Sequence, residues 1–368
     1  MTILVAPDSF KGTLTAAEVC AIIARAFHEV YPQAQIHSFP LADGGEGMVA
    51  AWHSTCGGEL RRAMVSGPYG EPVQAEYLML PDGTAVLELA ACAGLELARP
   101  RGLNPELTTT RGLGELMLCA RCAGAKRILL GLGGSATNDA GCGMAHALGW
   151  RFLNERGELF CPVGGTLCDI ARMIAPEKAF SIPVTAACDV RNPLYGPAGA
   201  AYVYAPQKGA DAEMAARLDD GLRHIAGLFP EKIAARPGAG AAGGAGFGVL
   251  AFLGGQLRPG VDLLLDRSDF SRLLAGADLA ITGEGRMDAQ TLQGKAPFGV
   301  LRRARRAGVP VIGICGCLGE GAGALAAGFA AIYPAVARAG TPIEELRRTC
   351  REDLYRAATR AAKVTCIP

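Results

Sequence analysis

A chain of 368 residues, half of them apolar, is too long for one ordinary core and suits two domains. Its 36 Lys and Arg almost balance 35 Asp and Glu, so no net field draws it to nucleic acid or a membrane surface, and recognition must rest on local sites for small molecules. The N-terminal apolar run, residues 3–6, is too short for a signal peptide or a membrane span, and most of the 13 cysteines sit within apolar segments; both predict a cytosolic protein.

Taken in chain order, residues 2–6 read as a buried parallel strand, 16–30 as a helix, 36–39 as a second strand and 47–55 as a second helix. From 59 to 91 the pattern changes to short strands at 61–66, 73–80 and 85–89, joined by GPYGEP and PDG turns, which predicts antiparallel hairpins. A helix over 115–123 and a strand over 128–130 lead into GLGGSATNDAG, residues 131–141, followed by a helix-like stretch at 144–148. A further apolar strand covers 184–188. The first style then returns: strand 279–282, helix 297–307, strands 311–315 and 330–333, and a closing helix over 343–362. Like patterns at both ends predict an α/β protein in which residues 1–60 and 260–368 build one discontinuous parallel-sheet domain, with a mixed α/β domain, 61–259, inserted into it.

In such a sheet the loops leaving the carboxyl ends of the strands line a ligand crevice. Here those loops are APDSFKGT (6–13), LADGGEG (41–47) and TGEGRMDAQTLQGKAP (282–297), each joining glycine to carboxylates. The inserted part adds GLGGSATND, ACDVRNPLYGP (187–197), APQKGA (205–210) and PGAGAAGGAGFG (237–248), so polar loops of both domains are expected to face one cleft. A strand that turns through glycines into a helix offers backbone N–H groups to an anion, and phosphate is the first expectation for 131–141. Backbone cradles, lysines and carboxylates without an obvious catalytic histidine or thiol fit phosphoryl transfer, which works by positioning and charge neutralisation through a metal ion. No Walker-type P-loop is present, since Gly294-Lys295 is followed by Ala296.

Rival readings are weaker on the same residues. Gly131-x-Gly133-x-x-Ala136 after a strand matches a dinucleotide fingerprint, but Glu155 is the sole acidic candidate near the required spacing, in a polar turn. The Cys119-x-x-Cys122 pair lies on the predicted helix without a second pair at zinc spacing, and the five histidines show no H-x-x-x-H. A non-catalytic small-anion sensor conflicts with so many carboxylates near a phosphate loop, where they repel the ligand unless a cation intervenes.

Taken together, APDSFKGTLTAAEV, PLADGGEG, LGLGGSATNDAGCGMAHALG, ACDVRNPLYGP, PQKGA, PGAGAAGGAGFG, DLAITGEGRMDAQTLQGKAPFGV and VIGICG closely resemble the bacterial type I glycerate kinases, from Ile3 to the helix ending near Ala362. The resemblance implies ATP- and magnesium-dependent phosphorylation of D-glycerate, on the 2-hydroxyl with the 3-hydroxyl as the alternative, and two α/β domains, one flavodoxin-like and discontinuous. It leaves a monomer and a homodimer both open.

Residue roles are expected as follows. Gly131, Gly133 and Gly134 form the nucleotide cradle, with Ser135, Thr137 and Asn138 adding side-chain donors. Lys11 and Arg286 neutralise anionic groups, and Ser9, Asp43 and Lys295 join them around the acceptor. Asp189, at the end of an apolar strand, is expected as the general base or else as a helix cap. Asp8, Asp288 and Glu284 are the magnesium-side or orienting carboxylates, although Asp8 and Asp43 also suit turn or cap positions.

Overall fold

The computed structural model describes residues 1–41, 47–336 and 342–364, apart from the side chains of residues 290, 293 and 326. In chain order the main elements are β1 (Thr2–Val5), α1 (Ala16–Val30), β2 (Gln35–Ser38), α2 (Met48–Cys56), β3 (Glu59–Ser66), β4 (Pro72–Met79), β5 (Thr84–Glu88), α3 (Arg111–Cys122) and β6 (Arg127–Gly131). They continue with α4 (Cys142–Ala147), β7 (Val184–Ala187), α5 (Ala212–Gly227), α6 (Ala241–Leu253), β8 (Gln256–Arg258), β9 (Leu279–Thr282), α7 (Ala296–Ala307), β10 (Val311–Cys315), β11 (Ala331–Pro334) and α8 (Ile343–Val364). Two compact units result. The first is Met1–Asp43, Ser54–Cys56 and Val261–Pro368, and the second is Gly44–His53 and Gly57–Gly260.

The first unit holds a five-stranded, all-parallel sheet in the order β11–β10–β9–β1–β2. Counted within this unit the order is 2-1-3-4-5, the flavodoxin-like arrangement, and it reverses direction between β1 and β9. Strands buried on both faces must be apolar throughout, and Ile3, Val5, Ile281, Ile312 and Ile314 are buried against Val19, Ile23 and Phe27 of α1 and Leu354, Ala358 and Ala361 of α8. The start of α1 is fixed by a capping box: Thr15 Oγ1 accepts from Glu18 N at 3.3 Å, while Glu18 Oε2 accepts from Thr15 N at 2.8 Å.

The second unit holds a six-stranded sheet in the order β8–β7–β6–β5–β4–β3. Its strands are parallel from β8 to β5 and antiparallel from β5 to β3. The PDG turn between β4 and β5 works as its residues dictate: Asp82 Oδ1 accepts from Thr84 N at 2.9 Å and Gly83 takes φ +80°. The helix α2, expected with the first unit, falls mostly in the second. There its Val49 N–H donates to Glu88 Oε1 at the end of β5, at 2.6 Å. Among the described residues no helix is long and apolar enough to cross a membrane.

Candidate active site

The strand reversal between β1 and β9 leaves the loops that follow them side by side. Ala6 N donates to Ile281 O at 2.7 Å, Asp8 N to Gly283 O at 2.8 Å, and Thr282 Oγ1 to Ala6 O at 2.7 Å. Gly283 is required here because a Cβ would stand 1.7 Å from the Ile314 carbonyl oxygen. The first loop then closes on itself through paired bonds between Phe10 and Leu14, with Gly12 at φ +81° and Lys11 exposed at the turn.

In the second loop, Glu284 is 8 % exposed; its Oε1 accepts from Thr291 Oγ1 at 2.7 Å and its Oε2 lies 3.4 Å from Lys295 Nζ. Arg286 Nε lies 3.2 Å from Asp288 Oδ2, and the Asp288 N–H donates to Thr291 Oγ1 at 3.0 Å. A short parallel pairing of Arg286–Met287 with Cys317–Leu318 holds this loop against the one after β10.

Between these loops and α8 the first unit encloses a cavity of about 330 Å³. One wall is polar, with Asp8, Ser9, Lys11, Glu284, Arg286 and Lys295; Phe10, Val336, Leu346 and Cys350 supply an apolar wall. Six of the residues expected at the site thus line one cavity at the switch point of the sheet. Asp353 of α8 also lines it; sequence reasoning missed this carboxylate because it sits within an amphipathic helix rather than a loop. Asp288 is not on the lining and turns to Arg286. Asp43 lies outside the described residues. Among the described residues no group of three or more His, Cys, Asp or Glu side chains converges to hold a metal, so Asp8, Glu284 and Asp288 are not assembled as a ready-made triad of ligands.

The glycine loop of the second unit is built differently. The N-terminus of α4 is capped from inside the protein: Asp139 accepts from Gly141 N at 3.1 Å and Gly143 N at 3.2 Å, and Thr110 Oγ1 accepts from Met144 N at 2.9 Å. The expectation that this helix start offers its N–H groups to an anion is therefore corrected, because a fixed carboxylate already occupies them. Asp139 is fully buried and also accepts from Thr110 N at 2.7 Å and Thr110 Oγ1 at 2.8 Å; burial pushes its pKa up, and these donors pull it down.

Of the residues expected to cradle phosphate, Gly133 and Gly134 are partly exposed, with Gly134 at φ +72°, whereas Gly131 and Ser135 are buried and Thr137 and Asn138 are fully buried. Thr137 Oγ1 and both amide atoms of Asn138 have no hydrogen-bond partner among the described residues. The second glycine-rich loop serves close packing against this one. A Cβ on Gly243 would stand 1.9 Å from Thr137 O, and one on Gly248 2.8 Å from Ala140 O; Ala242, Gly243 and Gly244 all have positive φ before α6 proper begins.

Lys208 of APQKGA is a buried cationic side chain that the sequence did not single out. It is 1 % exposed, and its Nζ donates to Ser135 Oγ at 2.8 Å and to Thr137 O at 2.6 Å. Burial pushes its amine down to about 7, opposed by the charge of Asp139. Asp189, at the end of β7, is half-buried, and its Oδ1 accepts from Gly260 N at 3.1 Å, the cap-like alternative that its position left open.

Comparison with known proteins agrees with this architecture. The model of the glycerate kinase family matches residues 3–366. A glycerate kinase of Bacillus subtilis is 43 % identical over 97 % of this chain and 96 % of its own length, and a glycerate 2-kinase of Escherichia coli is 40 % identical over 100 % and 98 %. A crystal structure from Salmonella typhimurium LT2, provisionally named glycerate kinase 2, superposes with a TM-score of 0.83 at 39 % identity, covering 99 % of this chain and 97 % of its own. With the family pattern matched over nearly every residue and the fold shared end to end, the chain belongs to the glycerate kinase family.

Proposed function

We propose that this protein transfers the γ-phosphoryl group of ATP to D-glycerate, on the 2-hydroxyl, giving 2-phosphoglycerate and ADP. Family membership supports the reaction, and the name of the Escherichia coli relative supports the 2-position. The observation that carries it is the cavity at the sheet's switch point, where Lys11, Arg286 and Lys295 stand with Asp8 and Glu284. Three cations suit a small carboxylate acceptor and a transferring phosphoryl group, whose loose transition state spreads negative charge over its oxygens.

The acceptor is held by Lys11, Ser9 and Arg286, with Lys295 positioned by its ion pair to Glu284. Asp8 is the base that the cavity favours. It is 3 % exposed, its Oδ1 accepts from Ser9 N at 2.7 Å, and it lies on the lining where Asp189 does not. A hydroxyl attacking through a loose transition state loses its proton late, so a carboxylate within hydrogen-bond reach suffices. Gly133 and Gly134, the partly exposed backbone of the glycine loop, are read as its contact with the nucleotide's phosphates.

Magnesium ions of phosphotransfer enzymes are held by one or two carboxylates together with substrate phosphates. The residues present fit that mode, with Asp8 and Glu284 as carboxylates on the cavity wall. The ion would neutralise charge on the β- and γ-phosphates.

Regiochemistry is read directly by coupling the reaction to enolase, which consumes 2-phosphoglycerate and not its isomer. Signal that needs added phosphoglycerate mutase transfers the assignment to the 3-hydroxyl. For the base, Asp8→Asn is expected to lower kcat at least ~100-fold with both substrates still bound, and Asp189→Asn to stay within about threefold. The reverse pattern moves the role to Asp189.

A further inference from the structure

A lysine sealed inside a protein is costly unless its hydrogen bonds and a counter-charge compensate. Lys208 meets this condition at one place, directly beneath the glycine loop, where its donors reach one side chain and one carbonyl of the segment 135–137. We propose that Lys208 is the positioning residue of the nucleotide-phosphate loop, and that binding of a polyphosphate at Gly133–Gly134 draws a proton onto its amine. This rests on the reading that the loop holds the nucleotide.

Three observations carry the inference. The contacts of Lys208 fix the residues that immediately follow the two partly exposed glycines, so its position sets the shape that those glycines present. Beside them, Thr137 Oγ1 and the Asn138 amide are buried without partners among the described residues, a cost removed if a bound anion recruits them. The carboxylate acting on Lys208 is Asp139, itself hydrogen-bonded by Thr110, Gly141 and Gly143, and it offsets the burial of the amine only in part. Its pKa of about 7 leaves it only partly charged at neutral pH. A phosphate brought close adds the missing negative charge and favours the ammonium, and by reciprocity the ammonium favours the phosphate.

Calorimetric titration of the enzyme with ADP at pH 7.5, in buffers of different ionisation enthalpy, measures the protons taken up on binding. Wild type is expected to take up roughly half a proton more than Lys208→Met, in the direction of a lysine pKa raised by the ligand. The variant should bind ADP about tenfold more weakly, the equivalent of one charge-assisted contact, with the KM for glycerate unchanged. Equal proton uptake in the two proteins, or unchanged ADP affinity in the variant, overturns the proposal. If Lys208→Met does not fold, lysine-labelled wild type supplies the same readout by NMR: the side chain titrating near 7 should move to higher pH with ADP, and a static midpoint overturns it. Gly133→Val separates the two readings. If it leaves ADP binding intact, the loop is not the nucleotide site at all; if it abolishes ADP binding while Lys208→Met does not weaken it, only the role of Lys208 falls.

Discussion

In the first unit the charged residues of the loops after β1 and β9, Asp288 apart, stand on the wall of a cavity, and Lys11 and Arg286 are exposed. In the second, Ser135, Thr137, Asn138, Asp139 and Lys208 are all buried; Lys208 is bonded to Ser135 Oγ and Thr137 O, and Asp139 to Thr110, Gly141 and Gly143. As sequence the two regions look alike: glycines, a carboxylate and hydroxyls after an apolar strand. The difference teaches that such composition marks a place where the backbone must be held in an unusual shape, and does not say whether the polar groups serve a ligand or the loop itself. In the first unit the loop after β1 is held mainly by main-chain bonds such as Asp8 N to Gly283 O, with Lys11 exposed at its turn. In the second, buried side chains such as Lys208 and Asp139 hold the glycine loop together with main-chain bonds such as Leu95 N to Gly134 O and Ala136 N to Ala93 O.

Measured as stability, the contrast should be largest at Asp139. Asp139→Asn keeps the shape but replaces an acceptor oxygen with an amide that faces the donors of Thr110, Gly141 and Gly143. Hydrogen bonds to a buried charge are the strong ones, and a donor left facing a donor carries its full desolvation penalty, so a loss of roughly 3 kcal/mol or more is expected in urea unfolding. A loss under about 1 kcal/mol, the range of an ordinary surface change, would mean that the loop holds its shape without this carboxylate.

Next comes the glycine loop packed against it. Gly243→Ala combines φ +65° with a Cβ 1.9 Å from Thr137 O, whereas Gly254→Ala has φ +60° with no atom within 4 Å of its Cβ. The second should cost about 1 kcal/mol for left-handed backbone alone, and the first about 3 kcal/mol because two backbones must separate as well. Equal costs would reduce the close approach of the two loops to a detail without energetic weight.

How much of this was legible depends on where the information lies along the chain. The fifteen residues of α1 were read from periodicity and the parallel strands from short apolar runs, both within a residue or two; the capping box in TAAE, which fixes the helix start, was not read. The cavity residues Asp8, Lys11, Glu284 and Arg286 were legible because strand-end loops of an open parallel sheet converge by topology. Lys208 was not, since its partners are 71 and 73 positions away and nothing near APQKGA distinguishes a buried lysine from a solvated one. The same distance hid the pairing of Asp189 with Gly260, 71 positions on. The inward turn of Thr137 and Asn138 was hidden for a related reason: residue type shows that a group can donate, and only packing shows toward what.

The smallest stability effect, and the sharpest test of the contrast, is expected at Lys11. Its side chain is exposed at the turn after Phe10, and that turn is closed by main-chain bonds between Phe10 and Leu14, so Lys11→Met leaves the local scaffold intact. The methionine preserves much of the apolar stem and removes only the ammonium. Unfolding free energy should therefore change by no more than about 0.5 kcal/mol, as for surface substitutions generally. The charge, by contrast, faces a cavity shared with Arg286 and Lys295, where one preorganised cation acting on a developing anion is worth about two orders of magnitude or more in rate. Thermal melts and kcat/KM for glycerate measured on the same preparation decide the matter: an unchanged melt with kcat/KM reduced ~100-fold places Lys11 with the ligand groups. A destabilised protein of near-normal activity would make Lys11 a residue that holds its loop and dissolve the distinction between the two regions.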